Sequence, residues 1–539
     1  MLLNKLRCGF SVLLLWVAAL LLCLPLLALF YQALTADSPI FEHLQRTVLW
    51  DYVRNSVILV VGVVLLSLLW GVPSAWLIAR YRFCGRGFFR WALLLPLAMP
   101  AYLAAFVYTE LLDYAGMVQS ALRRVFGFKN AQDYWFFEIR SMGGAVFVLS
   151  LCFAPYVYWL CVQAFAKLPA NQIHAAELLG AKRFEIFRRV LLPLLRPTLA
   201  VACGLVAMET LADFGTVAYF SVWHLTTGIY DVWLAHRDLS AAAKLSSLML
   251  LAVALLLAWE QYYRRRNHLA RNHAPLEAKR FAGMAGEMAA VLWCGLVLLL
   301  GFGIPSAWLL WAAWRYVGDT DWAAFDHMGF YTLRLALTVA AIGTALAFVL
   351  QAWQRATARG KGLIRLAGLG YGVSGTVLAI GVLMITTAFD HKINAISKAL
   401  GFGMVGLIWS GTIAALVYAF LCRLAAVSLG AVESGFAHIP PSLDQSAFLL
   451  GWSEKHTAWR LWLPLLRNSL VTAALLLFLE SMKELSAAML LRPFNVQTLS
   501  TYIYEYISAE RFEMAALPAL LMVVLGLPLV ALLLKTMED

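Results

Sequence analysis

A polar segment that occurs twice, each time between two long apolar runs, constrains this chain more than any other feature. The first copy covers residues 174–193 and the second covers residues 445–464. In each copy a glycine, Gly180 or Gly451, is followed at the same spacing by a Leu-Pro pair that ends the segment. Glycine enters the left-handed turn that ends many helices at little steric cost, so each copy predicts a helix, a turn and a second helix. A charged segment of this kind favours a docking site for a partner over a catalytic centre.

Small residues and prolines at matching places support this interpretation. The predicted docking residues before the two glycines are His174, Ala175, Ala176, Gln445, Ser446 and Ala447. The small side chains among them allow another surface to approach closely. Pro193 and Pro464 close the segments and suit the first turn of the next apolar helix, where the missing N–H group is harmless.

The apolar content of the chain excludes a soluble protein. Of its 539 residues, 62% are hydrophobic and only 13% are charged, which is typical of a protein that crosses a membrane many times. The formal net charge of +12 does not indicate nucleic acid, because Lys and Arg are concentrated in the N-terminus, alternate loops and the C-terminus. This positive-inside bias predicts that both termini lie in the cytoplasm.

Twelve apolar runs predict an all-α polytopic membrane protein with about twelve spans. They lie at about residues 10–31, 55–78, 88–108, 143–165, 197–220, 243–262, 288–312, 333–352, 366–388, 404–424, 468–490 and 515–535. The first run could be a signal peptide, but its length and the absence of a small-residue cleavage site favour a retained span. We therefore expect a first half at 1–263, a basic cytoplasmic linker at 264–287 and a second half at 288–539.

The two halves are related by a constant shift of 271 positions (451 − 180). The shift maps Glu209 to Glu480 and Asp213 to Glu484. A parallel repeat of six spans implies a pseudo-two-fold axis along the membrane normal, with the pathway between the halves. Pro96 also predicts a kink in the third span.

These four carboxylates are the candidate pathway residues. Glu209 and Asp213 are predicted on one helical face, about 18 and 24 Å from the cytoplasmic edge of their span, and Glu480 and Glu484 repeat the arrangement. Unpaired charges at that depth cost several kcal/mol, so we expect the carboxylates to face a wet cavity. Transient contact with a cationic substrate, an ion pair with Lys483, and carboxyls held protonated are the alternatives.

The chemistry of an enzyme is not indicated. The sequence contains no G-x-x-x-x-G-K-[ST] loop, so a chain driven by ATP needs a separate ATPase subunit. No catalytic residue and no stable metal site are predicted. The eight cysteines form no C-x-x-C pair, which indicates neither a disulfide framework nor a zinc site.

Both polar segments resemble the coupling motif of ABC-importer permeases, which reads E-A-A, Gly and I-x-L-P. Residues 174–176, Gly180 and residues 190–193 are similar to it, as are the residues 271 positions later. Both copies depart from the motif at its acidic first position, which is occupied by His174 and Gln445.

Four longer stretches are similar to the fused permeases of bacterial ferric-iron ABC importers. They are Leu95–Gly116, Glu209–Phe220, Leu225–Trp233 and Met482–Phe494. The resemblance implies a multi-pass protein of the inner membrane that imports Fe3+ delivered by a periplasmic binding protein. It further implies two copies of a cytoplasmic ATPase, which bind ATP and Mg2+, while this chain binds no cofactor. Oxygen ligands suit a hard cation, so transient Fe3+ contact is expected at Glu209, Asp213, Glu480 and Glu484.

Two alternatives stay open at the level of sequence. One is a permease of the same architecture for thiamine or phosphonate. The other is a stand-alone transporter coupled to an ion gradient, with the four carboxylates as a proton or sodium relay. The twin polar segments disfavour the second alternative, because an autonomous carrier has no need of docking sites.

Overall fold

The computed structural model describes residues 2–166, 178–181, 183–265, 279–281, 283–357 and 360–538. It is an all-α architecture, as predicted, with a single pair of two-residue strands in the described ranges. The strands β1 (Tyr81–Arg82) and β2 (Lys279–Arg280) pair in parallel, with Tyr81 opposite Lys279.

The helices of the first sequence half include long apolar spans and short connecting helices. They are α1 (Leu2–Thr35), α2 (Pro39–Arg46), α3 (Leu49–Arg80), α4 (Arg86–Ala92), α5 (Ala101–Leu112), α6 (Met117–Phe126), α7 (Met142–Ala166), α8 (Arg183–Ile186), α9 (Leu192–Ala212), α10 (Gly215–Tyr219), α11 (Leu225–His236) and α12 (Leu239–Arg265). Short 3-10 helices cover Leu95–Ala98 and Ala131–Asp133, and a π-helix covers Phe187–Leu191.

The second half continues in the same manner. Its helices are α13 (Met284–Leu298), α14 (Ile304–Tyr316), α15 (Trp322–Thr357), α16 (Lys361–Ala367), α17 (Gly375–Ala399), α18 (Ile413–Ala437), α19 (Pro441–Leu449), α20 (Glu454–Thr457), α21 (Leu463–Leu465), α22 (Arg467–Lys483), α23 (Ser486–Leu491), α24 (Leu499–Ser508) and α25 (Phe512–Glu538). Two π-helices cover Leu299–Gly303 and Ala458–Trp462, and 3-10 helices cover Val317–Asp319 and Leu369–Gly372.

The number of spans agrees with the sequence. Among the described residues, nine helices are long and apolar enough to cross a membrane, and two bent helix pairs raise the candidates to eleven if each pair is one span. This number is consistent with the roughly twelve spans predicted, and the shorter apolar helix Phe512–Pro528 lies at the last predicted run. The prediction at 404–424 was placed too early, because residues 400–412 form a loop and the helix begins only at Ile413.

The kink predicted at Pro96 is confirmed as a break. The chain forms a 3-10 turn at Leu95–Ala98 and then bends by 93° into α5. The second half breaks at Leu369–Gly372, where glycines replace the prolines. A Cβ atom on Gly370 would overlap the backbone carbonyl of Cys422, so this turn packs against α18 at a distance that only glycine permits.

The repeat is visible in the element bounds. Helix α18 begins and ends 271 positions after α7 (413 − 142 and 437 − 166), and the π-helix at 458–462 likewise follows the one at 187–191. A shared pattern of apolar residues and breaks therefore produces the same local structure twice.

The chain divides into two compact units, each made of separate stretches. The first unit comprises residues 1–46, 228–249 and 321–502, and the second comprises residues 47–227, 250–320 and 503–539. The two units therefore do not coincide with the two sequence halves.

In the first unit, the N-terminal helix packs among helices of the later half of the sequence. Gly381 of α17 meets the backbone of Pro25 in α1 so closely that a Cβ atom would overlap it. The Tyr418 hydroxyl donates a hydrogen bond to the carbonyl of Leu21. The apolar core of this unit lies between α15, α17, α18, α22 and α23.

In the second unit, the first span of the later sequence half packs with helices of the earlier half. Trp293 of α13 donates from its indole nitrogen to Ser74 Oγ of α3 at 3.1 Å. Gly301 packs against the ring of Pro96, at the break described above. The first span of each sequence half is thus held by residues from the other half.

Candidate docking segments and carboxylate corners

The second polar segment has the predicted helix–turn–helix form. Helix α19 ends at Leu449, and Gly451 follows with φ = +72°, the left-handed conformation predicted for it. Ser453 Oγ then accepts a hydrogen bond from the backbone N–H of His456 and starts α20. Pro464 lies in the first turn of the three-residue helix α21, not of the span as predicted, because the chain bends by 75° before α22 begins.

The first polar segment matches it where it is described. The predicted docking residues His174, Ala175 and Ala176 lie outside the described residues. Gly180 has φ = +76°, as predicted. Pro193 lies in the first turn of α9, which confirms its predicted position at the start of a span.

Both segments carry a pair of exposed leucines immediately before the glycine. Leu178 and Leu179 are 89% and 88% exposed, and Leu449 and Leu450 are 84% and 71% exposed. In the second segment Gln445 and Ser446 are also exposed, whereas Ala447 is buried against the bundle. Two matching apolar projections at glycine turns form a surface suited to docking a partner protein.

The second segment is tied to the helix bundle by an ion pair. Arg355, near the end of α15, donates from Nε to Asp444 Oδ2 at 2.7 Å. The same guanidinium donates to the carbonyl oxygens of Phe436 and Ile439 at 2.9 and 2.7 Å. The indole nitrogen of Trp462 donates to the other Asp444 oxygen at 2.8 Å. Asp444 therefore joins the two helical parts of the docking segment to the ends of α15 and α18.

The carboxylate of Asp213 does not share a helical face with Glu209, which corrects the prediction. Helix α9 ends at Ala212, and Asp213 has extended backbone angles. Its Oδ1 accepts hydrogen bonds from the backbone N–H groups of Thr216 and Val217 at 3.0 and 3.2 Å. A carboxylate that satisfies the first N–H groups of the next helix stabilises a break at this position.

Glu484 forms the equivalent corner in the second half, so Glu480 and Glu484 are likewise separated by a helix end. Helix α22 ends at Lys483, and Glu484 Oε1 accepts from the backbone N–H of Ala487 at 3.2 Å. The same oxygen forms an ion pair with Arg423 of α18. The sequence prediction placed Lys483 beside this carboxylate and overlooked Arg423, although a basic residue inside an apolar run was a usable signal.

The backbone carbonyl of each corner receives a hydroxyl from a later loop. Thr226 Oγ1 donates to the carbonyl of Asp213 at 2.9 Å. Ser500 Oγ donates to the carbonyl of Glu484 at 2.8 Å. Each hydrogen bond satisfies a carbonyl that the end of the helix leaves without an intrahelical partner.

A second hydrogen bond ties each of these loops to a span. The N–H of Leu225 donates to Ser56 Oγ of α3 at 3.1 Å. The N–H of Leu499 donates to Thr332 Oγ1 of α15 at 2.7 Å. Hydroxyl residues within apolar spans thus position both loops in the same way.

Glu209 and Glu480 lie near the C-terminal ends of α9 and α22 and are half-buried. The role of all four carboxylates along a pathway stays a prediction. Among the described residues, no three His, Cys, Asp or Glu side chains lie together in a way that could hold a metal ion.

Residues 67–259 match the family model described as the inner membrane component of binding-protein-dependent transport systems. The matched region contains the first docking segment and the Asp213 corner. The resemblance found in the sequence motifs is thereby confirmed.

Curated relatives extend the similarity to nearly the whole chain. The Fe(3+)-transport system permease protein FbpB 2 of Haemophilus influenzae is 24% identical over 94% of this chain and 94% of its own length. The ferric transport system permease protein FbpB of Actinobacillus pleuropneumoniae is 24% identical over 78% of this chain and 62% of its own. The sulfate transport system permease protein CysT of Salmonella typhimurium is 29% identical over 44% of this chain and 85% of its own.

Proposed function

We propose that this multi-pass inner-membrane permease imports Fe3+, since residues 67–259 match the family model of inner membrane components of binding-protein-dependent transport systems. A periplasmic binding protein delivers the ion, and two copies of a cytoplasmic ATPase drive its passage by alternating access. ATP and Mg2+ bind to the ATPase, and this chain binds no cofactor. Both termini lie in the cytoplasm, in accordance with the positive-inside bias.

The matched pairs of exposed leucines at Gly180 and Gly451 carry this proposal. Two docking surfaces of the same form fit two copies of one ATPase. ATP-driven closure of the ATPase dimer then pushes on both segments. In the second segment the Arg355–Asp444 ion pair passes this displacement to α15 and α18.

The cargo is proposed from the relatives named for ferric transport and from the chemistry of the corners. Fe3+ is a hard cation that prefers oxygen ligands. We assign transient contact with the ion to Glu209, Asp213, Glu480 and Glu484, of which Asp213 and Glu484 also accept backbone hydrogen bonds. Sulfate is the second candidate, since sulfate permeases are also similar to this chain. The Arg423 guanidinium forms an ion pair with Glu484, which weakens its attraction for an anion such as sulfate.

Docking is tested by the variants Gly180→Asp and Gly451→Asp. Neither glycine has an atom within 4 Å of an added Cβ, and Asp tolerates the left-handed conformation better than most residues. The fold should therefore persist while the new side chain obstructs the ATPase. We expect ferric uptake by cells to fall by about tenfold or more, with unchanged protein in the membrane.

Gly127→Asp is the matched control. Gly127 also has a positive φ, +73°, with nothing within 4 Å of an added Cβ, but it follows α6 and is part of neither docking segment. Uptake should be normal in this variant. Normal uptake in both docking variants would overturn the assignment of the segments.

The need for an ATPase is tested by reconstitution of the purified chain in liposomes. We expect 55Fe3+ to accumulate only when the ATPase, ATP and the binding protein are present. Accumulation without ATPase under a proton or sodium gradient would instead establish an ion-coupled carrier.

Cargo is tested in the same liposomes with 55Fe3+, 35S-sulfate, radiolabelled thiamine and a radiolabelled phosphonate, each offered with its cognate binding protein. Selective accumulation of iron is expected. The double variant Glu209→Gln, Glu480→Gln should then lower the maximal rate of iron uptake more than the amount of protein. Unaltered kinetics in this variant would remove both residues from the pathway.

A further inference from the structure

The loop between α17 and α18 exposes large apolar side chains and contains no charge. Residues 400–412 include no Asp, Glu, Lys, Arg or His. Phe402 and Met404 are 83% and 80% exposed. The other large exposed side chains of this loop are Leu400, Val405, Leu407, Ile408 and Trp409. A loop in water normally carries polar side chains, so this surface requires an apolar neighbour.

Two polar residues of α17 organise the loop from inside. The carboxylate of Asp390, which is fully buried, accepts hydrogen bonds from the backbone N–H groups of Ile408, Trp409 and Ser410 at 2.9–3.1 Å. It also accepts from the Ser410 hydroxyl at 2.6 Å.

Asn394 performs the same task for the preceding turn. Its Oδ1 accepts from the N–H groups of Val405 and Gly406 at 2.8 and 3.0 Å, and its amide donates to the carbonyl of Gly406 at 2.9 Å. Water could satisfy these backbone groups in an exposed loop, but lipid could not. Hydrogen bonding of the loop backbone to Asp390 and Asn394 therefore suits a loop that lies in lipid.

The position of the loop favours lipid as the neighbour. It joins the ends of two spans, α17 and α18. Because α18 runs from this loop towards α19 and the docking segment at 445–464, the loop lies at the opposite membrane face from that segment. The loop is thus continuous with the lipid-facing surfaces of both spans, and Trp409 belongs to a residue type that concentrates at membrane interfaces.

An open groove beside the loop adds a basic group. The groove, of about 420 Å3, lies between α15 and α18 and is lined by Arg334, Tyr331, Trp409, Ile413, Val417 and Leu421. Arg334 is exposed, and within the described ranges its guanidinium forms no ion pair. The Arg334 guanidinium suits the phosphate of a phospholipid, and the apolar side chains of the groove suit its acyl chain.

We propose that residues 400–412 insert into the membrane leaflet opposite the second docking segment and that the adjacent groove binds an anionic phospholipid with its phosphate at Arg334. The loop anchors the first compact unit in that leaflet. This inference goes beyond the proposed transport function and does not depend on the cargo or on the ATPase.

Insertion is tested by photo-crosslinking of the full chain in nanodiscs of phosphatidylethanolamine and phosphatidylglycerol. The photoreactive residue p-benzoylphenylalanine replaces Met404 in one protein and Leu449 in another. Both side chains are exposed to a similar degree, but Leu449 lies on a docking segment. Mass spectrometry should find lipid adducts at position 404 at about five times the level at position 449 or more. Equal levels would overturn insertion, as would crosslinking of position 404 to added binding protein in place of lipid.

The groove is tested by the lipid that remains bound after purification in detergent. We expect Arg334→Gln to retain about fivefold less phosphatidylglycerol, whereas Arg334→Lys keeps most of it. Arg315→Gln is the matched control, because Arg315 is also exposed near the end of a span but lines no part of this groove. Unchanged lipid in Arg334→Gln, or an equal loss in Arg315→Gln, would refute the phosphate site.

Discussion

The corners at Asp213 and Glu484 share a backbone arrangement but differ in the residue that faces the carboxylate. In both, a helix ends, the carboxylate accepts the first N–H groups of the next helix, and a hydroxyl from a later loop donates to the corner carbonyl. Glu484 pairs with Arg423. The position 271 residues before Arg423 is occupied by Cys152, which is buried and carries no basic group.

The docking segments repeat this contrast. Asp444 binds Arg355 and Trp462 in the second half. The positions 271 residues before Asp444 and Trp462 are occupied by Ile173 and Leu191. The backbone hydrogen bonds of the corners thus occur in both halves, whereas the residues that pair with Glu484 and Asp444 in the second half, Arg423 and Arg355, have no basic counterpart 271 positions earlier. A repeated backbone therefore does not require identical side-chain pairing in the two halves.

The largest effect is expected from breaking the Arg423–Glu484 pair. Arg423→Met leaves a buried carboxylate without its cation and should destabilise the protein by about 3–5 kcal/mol. The midpoint of thermal unfolding in detergent measures this loss. Cys152→Ala at the matching position should cost only about 1 kcal/mol. Adding Glu484→Gln to Arg423→Met should restore much of the stability, and failure to do so would show that lost packing, not charge, is responsible.

Removing the docking ion pair should have the next largest effect. Asp444→Ala removes the acceptor of the Arg355 Nε–H group and of the Trp462 indole N–H group and should cost about 1–3 kcal/mol. ATP hydrolysis by the reconstituted complex should persist while the iron moved per ATP falls. Glu454→Ala removes one negative charge from the same segment at an exposed position and should preserve this ratio. An unchanged ratio in Asp444→Ala would exclude Asp444 from coupling.

A smaller loss is expected at the Asp213 corner. Asp213→Ala removes the acceptor for the N–H groups of Thr216 and Val217 and should cost about 0.5–2 kcal/mol. Glu484→Ala should cost more, because it also removes the carboxylate that pairs with Arg423. Side-by-side thermal unfolding compares the two, and equal losses would mean that the ion pair contributes nothing to the difference between the corners.

The smallest effects should be equal in the two halves. Thr226→Val and Ser500→Ala each remove one hydroxyl that donates to a corner carbonyl. Each should cost about 1 kcal/mol in the same thermal unfolding assay. A clear difference between the two losses of stability would show that these hydrogen bonds do not contribute equally in the two halves.

Much of the site framework was predictable from the sequence because it depends on local chemistry. The left-handed turns at Gly180 and Gly451 follow from the properties of glycine, and the start of α9 at Pro193 follows from those of proline. The helix ends at Asp213 and Glu484 were missed. The prediction relied on helical spacing, which extended each span through these residues. It did not consider that a side chain that accepts hydrogen bonds from backbone N–H groups favours the end of a helix.

The sequence by itself determined the number of spans, their two-fold repetition and the positions of the docking turns, because apolar length, glycine and proline act within a few residues. Tertiary structure decided which charges meet. Arg423 lies 61 positions from Glu484, and Arg355 lies 89 positions from Asp444. It also decided that the first span of each half packs with the other half. Contacts of this kind depend on how spans assemble side by side, and in a chain of uniformly apolar helices the hydrophobic pattern does not specify that assembly.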